Sequence, residues 1–126
     1  MMNEGLDSLN KIGQVIFDKK GFNILAIDVR GISSLTDFVV IAEGNVDRHV
    51  SAISQAVVDT MKKNGEPPLY VEGLKDGDWV VIDFGFVMVH LFQPGLREKY
   101  LLEQLWKDGE IIDLTINVDS PIRGVL

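Results

Sequence analysis

Leu6, Leu9, Ile12 or Gly13, and Ile16 recur at helical spacing, so one apolar stripe runs along the first segment. The spacing predicts an amphipathic helix over 4–20, with Asn3 as its cap and Lys19-Lys20-Gly21 as its stop. Phe22 to Val29 then reads as a strand, and Gly31-Ile32-Ser33-Ser34 as a turn. Phe38 to Ala42 is a second strand. Its unbroken β-branched and aromatic run implies burial on both faces.

The helical period returns at Val50, Ile53, Val57 and Met61, behind a cap at Asn45 or Asp47. Lys62-Lys63-Asn64-Gly65 ends it, and Pro67-Pro68 forbids its continuation. Leu69 to Glu72 is a short strand, followed by strands over 78–83 and 86–92 around a Phe84-Gly85 turn. Pro94 opens a third helix through Trp106, with Leu101, Leu102 and Leu105 for packing. The tail from Ile111 to Val118 is expected either to add a strand, which would cover a sheet edge, or to pack loosely. The order α-β-β-α-β-β-β-α predicts an α/β protein with a mixed β-sheet packed by helices.

The hairpin GDWVVIDFGFVMVHLF contains two different faces. With Phe84-Gly85 as a two-residue turn, Asp83 faces Phe86, Val81 faces Met88 and Trp79 faces His90. Alternation puts Val80, Ile82, Val87, Val89 and Leu91 on an aliphatic core face. It puts Trp79, Val81, Met88 and His90 on the other. Tryptophan and methionine are enriched where proteins meet.

Composition narrows the function classes. At 126 residues with 46% hydrophobic content, the chain suits one folded domain. Its net charge of -7 would repel a phosphate backbone and suits a basic protein partner better. Cysteine is absent, which excludes disulfides and thiolate metal sites. No signal peptide and no membrane span are read, so a cytoplasmic protein is expected.

Motifs for catalysis are sparse. His49 and His90 stand in no metal-ligand spacing, and no phosphate-binding glycine loop or serine elbow is present. Asp28 and Asp83 on neighbouring strands would be the carboxylates for Mg²⁺-dependent nucleotidyl transfer. In Asp28-Val29-Arg30, however, a cation stands where a second acid would help hold the metal.

The segments DVRGISSLTDFVVIAEGN, DRHVSAI, PLYVEG, DWVVIDFGFVMVHLF and REKYLLEQLW, in that order and spacing, resemble the ribosomal silencing factor, or Iojap, family. The resemblance covers roughly 6–106, which gives a domain over 1–106 and a C-terminal extension, 107–126, without an assigned role. It implies a nucleotidyltransferase-like fold without the catalytic acids, and so no enzyme activity and no cofactor. It implies a translation repressor that binds ribosomal protein number fourteen of the large subunit and sterically blocks joining of the two subunits. The family's contact surface includes the hairpin tryptophan, here Trp79. Alternation groups it with Val81, Met88 and His90, and Glu72 and Asp78 lie near enough to meet basic groups on the partner. Arg48 and His49 are expected to organise the second helix. Phe86 stands where the family usually has an acid, which adds apolar surface at the turn. A homodimer closing over the Trp79 face is the third expectation. A divergent Mg²⁺-dependent nucleotidyltransferase is the competing one.

Overall fold

A computed structural model describes residues 2–96 and 107–118. Its elements are α1 (Met2–Asp18), β1 (Phe22–Asp28), β2 (Phe38–Glu43), α2 (Asp47–Lys63), β3 (Tyr70–Glu72), β4 (Trp79–Asp83), β5 (Val87–Phe92) and β6 (Glu110–Ile112). The third helix expected from Pro94 to Trp106 lies largely outside the described residues.

The strands form one mixed sheet in the order β3-β4-β5-β2-β1-β6. Only β2 and β5 run parallel, and the other neighbours are antiparallel. β2 is central, and five of its six residues are buried, as its continuous apolar run requires.

Both described helices pack on one face, α1 against β1 and β2 and α2 against β4 and β5. Leu9, Ile12 and Ile16 from α1 and Val50, Ile53, Val57 and Met61 from α2 meet Val80, Ile82, Val87, Val89 and Leu91 there. The expected aliphatic face of the hairpin is therefore the main core. Each Ile or Leu buried in it contributes about 1.5–3 kcal/mol.

Three details differ from the sequence reading, and a fourth decides between two courses that it left open. First, the two-residue turn is Gly85-Phe86, closed by the Phe84 amide donating to the Val87 carbonyl at 3.0 Å. Gly85 adopts φ of 93°, and its amide donates to Asp83 Oδ1 at 2.8 Å. A glycine at this position accepts the left-handed conformation that Phe84 would resist. Trp79 therefore pairs with Phe92, Val81 with His90 and Asp83 with Met88. The register moves by two residues, an even shift, so every side chain keeps its face.

Second, the cap position of α2 is Val46, with no side-chain cap. Asp47 Oδ1 instead accepts from the Arg48 amide at 2.7 Å, and His49 Nδ1 accepts from the Asn45 amide at 2.8 Å. His49 Nε2 reaches the Lys19 carbonyl at 2.7 Å, which ties the start of α2 to the end of α1. Third, Asp28 and Asp83 lie on strands that are not neighbours, since β5 and β2 stand between β4 and β1.

Fourth, the tail takes the first of its two expected courses and adds a strand. β6 pairs with β1 and covers that edge of the sheet. Beyond it, the Thr115 amide donates to Asn10 Oδ1 at 2.8 Å and the Asn117 amide to Gln14 Oε1 at 2.6 Å. Asn10 and Gln14 are one helical turn apart, so α1 offers side-chain amides where a neighbouring strand would offer backbone. Leu114 and Ile116 pack over Gly13 between them.

Candidate functional site

The sheet face opposite the helices carries three cross-strand rows. One runs Tyr70, Asp83, Met88, Val39, Ile27. The next runs Glu72, Val81, His90, Ile41, Leu25, and the third runs Trp79, Phe92, Glu43. Towards β1 this face is closed: Ile27, Val29, Val39, Ile41 and Phe92 form a second buried cluster. Towards β3 it opens. Trp79, Val81 and Met88 are half-buried, while Glu72 and Asp78 are exposed.

Trp79 sits at the boundary between the closed and open parts. Its ring lies against Phe92, with centroids 5.4 Å apart, and packs on the buried cluster. Its indole Nε1 donates to His90 Nδ1 at 3.2 Å. The partner is the diagonal neighbour, one row away from Phe92, to which the backbone pairs it. His90 is only 6% exposed, and its ring stacks parallel to Phe92. Burial pulls the imidazole down to about 4, well below its ordinary value, because a charged ring would lose its water. The neutral ring keeps Nδ1 free to accept the indole proton. Trp79 is thus fixed in orientation from beneath by a buried acceptor while part of its surface faces solvent.

The structure brings all four hairpin residues onto one face but divides their roles. Trp79, Val81 and Met88 offer surface; His90 supports Trp79 and offers almost none. Asp78 is tied across the hairpin by Gln93 Nε2, which donates to its Oδ1 at 2.9 Å. Glu72 accepts from the Tyr70 hydroxyl at 2.9 Å. That bond to a carboxylate raises the Tyr70 phenol above its ordinary range. Tyr70, 52% exposed, and the buried Phe92 also belong to this face, though the hairpin pattern alone does not single them out. Both follow from alternation, two residues before Glu72 and two after His90.

The carboxylates proposed for metal chemistry do not converge. Asp28 aligns through Phe38 with Val87, and Asp83 aligns with Met88, so they point to opposite sides of the sheet. Three strand spacings of about 4.8 Å separate their strands, roughly 14 Å in all. Asp28 is also occupied, accepting from Arg30 at 3.0 and 2.6 Å. These bonds hold its carboxyl below the usual range. Among the described residues, no group of three or more histidine, aspartate or glutamate side chains is placed to hold a metal.

The model of the family described as ribosomal silencing factor during starvation matches residues 3–123. The chain belongs to the ribosomal silencing factor family. The Bacillus subtilis ribosomal silencing factor is 38% identical over 103 residues, which cover 82% of this chain and 87% of that protein. A mouse protein named for mitochondrial assembly of the ribosomal large subunit is 36% identical over 87 residues, which cover 67% of this chain and 38% of the mouse protein. A crystal structure of a Chromobacterium violaceum protein superposes with a TM-score of 0.76 at 28% identity, covering 94% of this chain and 97% of that one. Membership supports a ribosome-associated role in translational silencing. The match runs past Trp106, so it takes in the tail that β1 and α1 hold. Among the described residues, no helix is long and apolar enough to cross a membrane.

Proposed function

We propose that this ribosomal silencing factor represses translation by docking its Trp79 face on ribosomal protein number fourteen of the large subunit, where it obstructs subunit joining. The observation that carries this reading is a half-exposed tryptophan held by a buried histidine at the open end of a sheet face. A rigid aromatic anchor beside Val81, Met88 and Tyr70 has the make-up of an interface centre. Glu72, Asp78 and Asp83 surround it with negative charge and suit a partner rimmed by lysine and arginine. The mouse relative's name associates it with the large subunit, which agrees with this choice of partner. The mechanism is occupancy without turnover, in the cytoplasm, and it needs no cofactor.

Co-sedimentation with isolated large subunits tests it. Wild type should pellet with the subunits, and Trp79→Ala should bind at least about 30-fold more weakly, a loss of about 2 kcal/mol for a buried anchor. Equal pelleting of a folded Trp79→Ala protein would move the contact to another face. If wild type stays in the supernatant, the subunit is not the partner.

A further inference from the structure

On the helix-bearing side of the sheet, a cleft of about 540 Å³ opens between the first turns of α1, the ends of β1 and β2, the β4–β5 turn and β6. Its size is that of a small-molecule site. Leu9, Phe38, Phe86 and Ile112 give it apolar walls. The amides of Asp37 and Phe38 both donate to the Phe86 carbonyl, at 3.2 and 3.0 Å, so the turn and the strand end are fastened together. Ile112 comes from β6, so docking of the tail builds one wall.

The charges in the lining are not balanced. Arg30 is the single cation among the described lining residues, and the Nε–Nη2 edge of its guanidinium is taken by Asp28. The same group lies 5.1 Å from the centroid of the Phe38 ring, which therefore already hosts a cation. Glu66 accepts from Ser8 at 2.8 Å and from Asn64 at 3.0 Å. The Asp37 carbonyl accepts from the Val29 amide at 2.9 Å, but its carboxylate, which is exposed, accepts no hydrogen bond among the described residues. With three carboxylates against one guanidinium, the described lining residues carry a formal charge of −2. An anion entering here would meet an Arg30 already paired with Asp28, and an Asp37 carboxylate that feels the Arg30 charge without a hydrogen bond to it.

We infer that the cleft binds a small organic ammonium compound, its apolar body between Phe38, Phe86 and Ile112 and its charged nitrogen at Asp37. The site lies across the sheet from Trp79, so its occupant and a partner on that face do not compete for the same atoms.

Three matched probes separate charge from shape: tryptamine, tryptophol and indole-3-propionate carry an ammonium, a hydroxyl and a carboxylate on the same indole. Each is titrated into the full-length protein while the amide NMR signals of Gly5, Phe38 and Phe86 are followed. Tryptamine should shift these signals saturably and bind about fivefold more tightly than tryptophol, the ratio expected of one exposed ion pair. Indole-3-propionate should be weakest. Asp37→Asn should reduce tryptamine to the level of tryptophol, and Phe86→Ala should remove the shifts for all three. Saturable binding of the carboxylate as tight as that of the amine would overturn the inference. So would the absence of localised shifts with any probe, or an ammonium preference that survives Asp37→Asn.

Discussion

Trp79 and His90 depend on each other. The indole needs an unprotonated imidazole nitrogen, and the imidazole stays unprotonated because Phe92, Trp79 and the sheet exclude water from it. The folded ring titrates near 4, against an ordinary value of 6.5. A depressed folded pKa means that the unfolded chain takes up the proton first as pH falls. The contribution to stability is therefore complete above pH 6.5 and is lost progressively down to about pH 4. Its size is on the order of 3 kcal/mol. Urea denaturation at intervals across this range should show the decline, and His90→Phe should flatten that part of the curve. A wild-type profile parallel to that of His90→Phe would mean that His90 is not the group responsible. Trp79→Phe should keep the stacking on Phe92 and lose only the indole hydrogen bond. It should therefore cost about 1 kcal/mol, well under the cost of Trp79→Ala, in the same denaturation assay.

At the scale of elements, the connection from β3 to β4 sets where Trp79 begins. Gly73 has φ of 86°, and a Cβ there would run into the Trp79 carbonyl. Ser51 of α2 donates to the Leu74 carbonyl at 2.8 Å and pins the same loop to the helix layer. Gly73→Ala combines a strained conformation with a backbone collision. It should destabilise the fold by about 2 kcal/mol or more, read from the denaturation midpoint. If the midpoint is unchanged, the loop adapts and does not fix the hairpin. The tail presents the converse case, a segment held mainly by side chains. Replacing Asn10 and Gln14 together by alanine should speed hydrogen exchange at the Thr115 and Asn117 amides. Exchange within β2 should hold its wild-type rate. Unaltered exchange at both tail amides would assign the docking to Leu114 and Ile116 alone.

For the whole molecule, the contrast between the two sheet faces decides what the protein can do. One face is filled by two helices and supplies the core. The other is closed near β1 and open near β3, where apolar residues meet an acidic surround. Such a patch can bind a basic partner or pair with itself about a twofold axis. We expect the two to exclude each other. In sedimentation equilibrium, Trp79→Ala should weaken self-association, and added large subunits should convert wild-type dimer to bound monomer. A dimer that binds subunits with undiminished affinity would place the self-contact elsewhere. The binding should also weaken with added salt, because the rim pairs are solvent-exposed.

The sequence by itself determined the element types and their faces. Stripes at the helical period of about 3.6, at Leu9, Ile12 and Ile16 and at Val50, Ile53 and Val57, permit only one buried side of a helix. Period-two alternation assigns each residue from Trp79 to Phe92 the same face under any even change of register. That is why the grouping of Trp79, Val81, Met88 and His90 persisted when the turn moved from Phe84-Gly85 to Gly85-Phe86. The quoted motifs, kept in order along the chain, also sufficed for the family. Tertiary structure alone decided which strands are neighbours, because pairing joins segments distant in sequence. It set Asp28 and Asp83 on opposite sides of the sheet and removed the metal reading. It buried His90 beneath Trp79, left Tyr70 and Glu72 in the open and laid the tail along α1. Burial depends on what packs above a residue, and no local pattern carries that information.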